Sequence, residues 1–436
     1  MEKRTVLRRV IWSAVLIFAV ASAGIVVGRW TIGSVCAEVD GYEELRTFTE
    51  ALSIVRKNYV EETKPKELIY GAIKGMLNSL DPHSAFMTPE QYKEMQVDTK
   101  GEFGGLGIQI GVKDGMLTVI APIEDTPAYK AGIKSGDKII RINNEFTKDM
   151  SLHDAVSKMR GAPSTSVKIT ILREGWEKTK DFTIVREIIK IKSVKFRMLE
   201  ENIGYVKINQ FQEQTAHDLT KALEELTDKN ITSLVLDLRN NPGGLLNSAV
   251  DVSSKFLPPG KLVVFIKDKK GEKSEYRSGR NSTNFSLPMV VLVNQGSASA
   301  SEIVAGALKD WNRAVLIGSQ TFGKGSVQSV VPLGDGSALR LTTARYYTPK
   351  GTSIQTTGIS PDIAVQMQVK NGEKGRPVIR EKDLEGHLRN GQMEDQPEES
   401  EETIPVEIDE KDDIQLQRAI DLLKTWKVFK DLPKAA

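Results

Sequence analysis

The sequence predicts a multidomain α/β protein, and three observations carry that expectation. Its 436 residues exceed one ordinary domain, so two or three separate cores are expected. Between residues 99 and 187, short β-branched runs alternate with Gly, Asp and Asn turns, which predicts a small β-rich unit. Between 188 and 366, strand-like runs alternate with amphipathic helical runs, which predicts a buried parallel sheet covered by helices.

The segments follow in order. MEKRTVLRRV places Lys3, Arg4, Arg8 and Arg9 ahead of an apolar run from Ile11 to Val27. That run approaches the ~17–20 residues that span a hydrocarbon core, and the cationic flank should stay cytoplasmic. Residues 1–37 therefore read either as a signal peptide cleaved after Val35-Cys36-Ala37 or as an uncleaved membrane anchor closed by Arg29. Gly33-Ser34-Val35 lacks the pattern that precedes a lipidated cysteine. Either way the remainder is expected in the cell envelope, anchored at the inner membrane or exported to its outer side. Cys36 is the single cysteine, so no disulfide framework or Cys-based metal site is expected. A net charge of +2 gives no reason to expect a nucleic-acid partner.

Residues 38–98 read as helical. ELRTFTEALSIVRKNY and PKELIYGAIKGMLNSL space their apolar residues for helices, and Thr88-Pro89-Glu90 opens another. The apolar face lacks an obvious partner within the region, so a dimerisation arm is expected. His83, in LDPHSAFM, reads as a polar residue of a structured turn.

Residues 99–187 run strand, strand, short helix at Pro127–Ala131, strand, helix, strand. With GEFGGLGI and TPAYKAGIKSGDKIIRINN this block resembles a PDZ domain. The resemblance puts a carboxylate-binding loop at Gly105, Leu106, Gly107 and Ile108. The strand Leu106–Ile110 would add a ligand's last residues as an extra strand. The helix Leu152–Met159 would form the other wall, with His153 and Val156 setting side-chain preference.

In residues 188–366, IGYVKINQF, SLVLDLR, KLVVFI, PMVVLVN and AVLIGSQ read as strands between helical runs. Residues 367–412 are acidic and poor in core residues, so they read as a linker or weakly ordered arm. Residues 413–436 read as a closing amphipathic helix that docks on the fold.

Three motifs carry chemistry. NQGSASASEIVAGAL follows the strand PMVVLVN, where sites form in such sheets. Ser299-x-x-Glu302 is a capping box, and the local sequence does not decide which of Ser297, Ser299 and Ser301 reacts. GSQTFGKGSVQ comes close to a phosphate-binding loop. It has Gly325 where a Ser or Thr is needed, and a strand-like run follows instead of a helix. What remains is Lys324 in a glycine-rich turn, able to act as a general base once desolvation lowers its pKa. In LDLRNNPGGLL, a Gly-Gly pair after a buried strand can aim backbone N–H groups at a developing oxyanion.

Together with GAIKGMLNSLDPHSAFMTPE, the PDZ-like block and GSALRLTTARYYTPKGTSIQTTGISPDI, these motifs lie between about Leu45 and Val365, and in their chain order they resemble the carboxyl-terminal processing peptidases, also called tail-specific proteases. The resemblance implies a Ser-Lys serine peptidase on a ClpP/crotonase-like β/α core. Ser299 would be the nucleophile, Lys324 its base, and Gln328 the residue that orients the lysine amine. Positions four apart share a strand face, which would bring Lys324 and Gln328 together. The oxyanion donors would be the backbone of Gly243 or Gly244 and of Ala300. No metal or cofactor is required. Substrates would be proteins with exposed C-termini, captured by the PDZ-like domain, with Arg160 coupling its occupancy to the active site. A homodimer and an adaptor protein are further expected partners. Two other readings stand beside this one. The chain could be a catalytically inactive membrane-tethered PDZ scaffold, or a Ser-His-Asp hydrolase using His83, His153 or His217.

Overall fold

The structure, a computed structural model, describes residues 42–279, 285–367, 376–391, 403–404 and 412–431. The apolar run after Met1 and Cys36 lie outside these residues. Among the described residues, no helix is long and apolar enough to cross a membrane. The chain divides into two units, residues 1–75 and 76–436. The described part of the first unit begins with the helix Tyr42–Asn58. Its first turn carries Glu43 and Glu44 and its last carries Arg56 and Lys57, which suits the helix dipole at both ends. Leu45, Phe48, Ile54 and Val55 are exposed on it.

The second unit contains the predicted β-rich domain. Its sheet runs in the order Ile108–Lys113, Met116–Pro122, Lys138–Ile142, Ser166–Leu172, Lys180–Val185, all antiparallel. Ile108–Lys113 is an edge strand, so one row of its backbone groups stays available. The domain's core is built from Leu106, Val119, Ile139, Ile169 and Ile171 with Ala155 and Met159 of the helix Leu152–Met159. Buried Arg186 closes that helix by donating to the carbonyls of Lys158 and Met159 (2.7 and 2.9 Å), where a cation meets the negative end of the dipole.

The larger core holds the predicted parallel sheet. Its order is Val194–Met198, Ile203–Ile208, Ser233–Asp237, Met289–Val293, Val315–Gly318, Ile363–Ala364. The first pair is antiparallel and all later pairs are parallel. Ser233–Asp237 and Met289–Val293 are buried along their full length, as strands covered on both faces must be. One face packs on the helices Thr215–Asp228, Leu246–Ser253 and Ala300–Asp310. The other packs on Leu416, Ala419, Ile420 and Leu423 of the closing helix Ile414–Asp431.

Two expectations are corrected. KLVVFI does not join the parallel sheet. Leu262–Asp268 pairs antiparallel with Lys273–Arg277 and with Ala338–Tyr347, in a second sheet that also takes Ser326–Pro332 and Ala85–Met87. The tight turn after Asp268, with Gly271 at φ 82°, leaves no room for the crossover that parallel pairing requires. Residues 376–391, placed in the acidic linker, pack against the core, with Val378, Arg380, Glu381 and Asn390 buried. Their burial rests on polar contacts, which hydrophobic periodicity does not reveal.

The closing helix is pinned by charge. Arg239 is buried, donates to both oxygens of Asp413 (2.7 and 2.8 Å), and pairs with Asp237 (2.7 Å). Asp413 also accepts from the Leu416 N–H at the helix start (3.0 Å). Burial lowers the Arg239 pKa, but the two carboxylates outweigh it and hold the guanidinium charged. Arg239→Ala strands these carboxylates and should cost about 3–5 kcal/mol, read as a lower urea midpoint.

Candidate active site

The three serines separate by what their hydroxyls touch. Ser297 is fully buried and donates to the Leu238 carbonyl (2.8 Å). Ser301 is fully buried and donates to the Asn241 carbonyl (2.9 Å). Both are spent on bracing the strand-to-helix turns. Ser299 stands at the start of the helix Ala300–Asp310 with φ 54° and ψ −111°. That region is costly for any residue with a Cβ, by about 1–3 kcal/mol. The strain places Ser299 on a sharp turn at the positive end of a helix, where negative charge is favoured. Ser299→Gly should therefore raise the urea-derived stability by about 1 kcal/mol while removing the hydroxyl.

Glu302, at the third position of that helix, is fully buried. One of its oxygens accepts from the Ser299 N–H (2.8 Å) and the Lys324 N–H (2.9 Å). The other accepts from the Gly323 N–H (2.7 Å) and the Thr321 hydroxyl. A single carboxylate thus ties the serine turn to the lysine loop. Burial pushes its pKa up to about 7, against the four hydrogen bonds that favour the anion. In the sequence Glu302 is visible only as a helix cap, because nothing local shows that its other donors come from the Thr321–Lys324 loop.

Lys324 is partly buried in that loop. Desolvation pushes its amine below the ordinary lysine value, and the Arg340 charge adds to this. Glu381, Asp81 and Glu302 act in the opposite direction but do not cancel it. Tyr346, buried on the strand Ala338–Tyr347, brings its hydroxyl to the Ser299 side chain. Burial pushes that phenol up to about 12, so it stays protonated.

The glycine pair lies beside the serine. A Cβ on Gly243 would stand 2.9 Å from Ser299 Cβ and 2.7 Å from the Ala298 carbonyl, so only glycine fits there, at φ 103°. The Gly243 N–H donates to Asn241 Oδ1 (2.9 Å). Among the described residues, no acceptor pairs with the N–H of Gly244 or of Ala300.

Gln328 does not meet the lysine amine here. Its amide donates to Thr342 Oγ1 (2.9 Å) and Ser326 Oγ (3.2 Å). The alternation argument fails because the strand register shifts between Val327 and Gln328 and Lys324 precedes the strand. Thr342 in turn donates to Asp81 (3.1 Å). Burial alone would raise the Asp81 pKa, but hydrogen bonds from Ser84, His83 and Thr342 hold it below the usual carboxylate range.

In the β-rich domain, a groove of about 140 Å³ is lined by Gly105, Leu106, Gly107, Ile108, Val156 and Arg160, with Phe103, Ile110 and Met159. The Arg160 guanidinium lies 4.5 Å from the Phe103 ring centre. His153 is not among the lining residues. It is exposed and 3.3 Å from Glu94. His217 lies in the helix Thr215–Asp228. His83 bonds Glu381. Among the described residues, no cluster of His, Cys, Asp and Glu could hold a metal ion.

Comparison with known proteins agrees with this architecture. Peptidase family S41 matches residues 202–365, the PDZ domain family matches 94–172, and the N-terminal domain of the activating protease CtpB matches 32–91. A carboxy-terminal-processing protease of Bartonella bacilliformis is 44% identical over 423 residues, 96% of each chain. The carboxy-terminal processing protease CtpA of Bacillus subtilis is 37% identical, over 81% of this chain and 76% of its own. Among solved structures, the photosystem II D1 C-terminal processing protease is 32% identical over 73% of this chain and 92% of its own, with a TM-score of 0.43. The chain belongs to peptidase family S41 and is a serine-type peptidase with a PDZ domain.

Proposed function

We propose that this enzyme cleaves peptide bonds with Ser299 as nucleophile and Lys324 as base, on substrates recognised by their free C-termini. The observation that carries the reading is the Glu302 carboxylate, which accepts from the backbones of both residues. Neutral Lys324 takes the Ser299 proton as the hydroxyl attacks the peptide carbonyl. The oxyanion is held by the backbone N–H groups of Gly244 and Ala300, since that of Gly243 is already engaged by Asn241. Lys324 then protonates the leaving amine, and water hydrolyses the acyl-enzyme. Gln328 would reach the lysine amine only after leaving Thr342. No step calls for a metal or cofactor. Because activity needs the neutral amine, kcat/KM should rise with pH through a midpoint below lysine's ordinary 10.5.

The edge strand Ile108–Lys113 and the apolar groove beside it suit an extended C-terminal peptide added as a further strand. Amidating a substrate's C-terminus should lower kcat/KM by about tenfold, the worth of a charge-assisted hydrogen bond. Arg160→Ala should lose more on the free tail than on the amidated one. Equal rates on both substrates in the unaltered enzyme would end the tail-recognition reading.

The cationic flank and apolar run before Val27 support a place at the inner membrane with the peptidase outside the cytoplasm. The apolar residues exposed on Tyr42–Asn58 support pairing with a second copy. Fractionation of the full chain and its sedimentation would test both.

A further inference from the structure

We propose that Glu381 and His83 form a positioning pair for Lys324: Glu381 braces the lysine loop, His83 holds the Glu381 side chain, and the carboxylate sets part of the charge that acts on the lysine amine. The proposal rests on the Ser299–Lys324 reading and adds two residues to it. Glu381 lies in the short turn Glu381–Asp383, within the segment that composition assigns to a linker, and its side chain is 0% exposed. A buried carboxylate is costly unless it is paired. Here its two oxygens lie 2.7 and 3.0 Å from His83 Nε2, and Oε1 accepts from Gln355 Nε2 (2.9 Å).

These contacts lead to the lysine from two directions. The Glu381 N–H donates to the carbonyl of Phe322 (3.1 Å), ahead of Lys324. Gln355, fully buried, uses its other end to accept the Gly325 N–H (3.0 Å), directly after Lys324. The loop is therefore bracketed by the Glu381 backbone N–H and by the Gln355 amide that the Glu381 carboxylate holds. His83 is fixed in turn through its backbone. Its N–H donates to Asp81 (2.9 Å), and its carbonyl accepts from Arg340 Nε (3.0 Å).

The charged groups that face Lys324 are Arg340, Glu381, Asp81 and Glu302. Glu302 is engaged by four donors and Asp81 by Ser84, His83 and Thr342. Glu381 alone among the three carboxylates is bonded by an imidazole, that of His83. Removing the Glu381 charge should favour the neutral amine, and removing the Arg340 charge should favour the ammonium.

The test is kcat/KM against pH for the full chain on one free-tailed peptide, with Glu381→Gln, Arg340→Gln and Lys324→Ala variants. Glu381→Gln should move the acid limb to lower pH by about half a unit to one unit, and Arg340→Gln should move it to higher pH. A role confined to holding the loop would lower the rate equally at every pH and leave the limb in place. An unmoved limb in Glu381→Gln overturns the proposal, and Arg340→Gln is the control that the limb responds to charge acting on Lys324. The urea midpoint reports whether each variant is folded. If Glu381→Gln does not fold, His83→Gln carries the test, and an unmoved limb there overturns the proposal by itself. Activity retained by Lys324→Ala would instead overturn the catalytic reading beneath it. An inactive Lys324→Ala with unmoved limbs removes only the Glu381–His83 assignment.

Discussion

With Ser299 as the proposed nucleophile and Lys324 as its proposed base, Ser299→Ala and Lys324→Ala should each reduce peptide-bond cleavage by roughly 10⁴-fold or more, because a nucleophile and its base act as one unit. The double variant should be little worse than either single one, since neither residue helps once the other is gone. Folding should survive both changes. Ser299→Ala keeps the Cβ and the backbone N–H that Glu302 accepts. Lys324→Ala keeps the backbone N–H on the same oxygen and relieves an amine that burial disfavours. The readouts are initial rates on a peptide substrate, fluorophosphonate labelling, and the urea midpoint. Wild-type labelling of Ser299→Ala would place the nucleophile elsewhere. Wild-type cleavage by Lys324→Ala would return the base to one of the histidines.

The second large effect is at Glu302. Glu302→Gln should cost about 100-fold in kcat/KM, although the two side chains have the same shape. Each carboxylate oxygen accepts two donors, and an amide turns one of those oxygens into an N–H₂ group. Whichever way the amide faces, one pair of donors meets a donor. The Ser299 turn and the Lys324 loop then lose their common anchor. Leaving buried N–H groups unpaired should lower stability by about 1–3 kcal/mol.

Glu302 also leaves a pH signature. Its carboxyl is raised from 4.5 to about 7 in the folded chain by burial. Between these values the native state keeps a proton that the unfolded chain releases. Stability should therefore fall as pH rises through that window and level off above it. The slope should be absent in Glu302→Gln. A variant that keeps the wild-type slope, or labels with a fluorophosphonate at the wild-type rate, would show that Glu302 does not organise the site.

Much of the fold is legible in the sequence because it rests on local patterns. The PDZ-like turns, the parallel strands at Ser233–Asp237 and Met289–Val293, and the strand-to-helix turn before Ala300 all follow from periodicity and turn residues. The errors arise where partners are distant. Leu262–Asp268 has the composition of a parallel core strand, yet its short turn sends it into the antiparallel sheet. Gln328 has the right spacing from Lys324, yet a register shift turns it to Thr342. Residues 376–391 read as linker, yet a carboxylate buried among polar partners anchors them.

The sequence by itself determined the class of chemistry through its resemblance to a peptidase family, carried by a serine at a helix start, a lysine in a glycine-rich turn, and a glycine pair after a buried strand. These are local requirements of backbone conformation and side-chain type, and a linear chain records them. Only the tertiary structure decided which serine hydroxyl meets Tyr346 and not a backbone carbonyl, and which glycine N–H is left unpaired among the described residues. It also decided that Glu302 and Glu381 both bond one lysine loop, with His83 on the Glu381 carboxylate. Hydrogen bonds between residues far apart in the chain leave no period in the sequence, because they depend on where the sheets bring the backbone, not on what lies beside it.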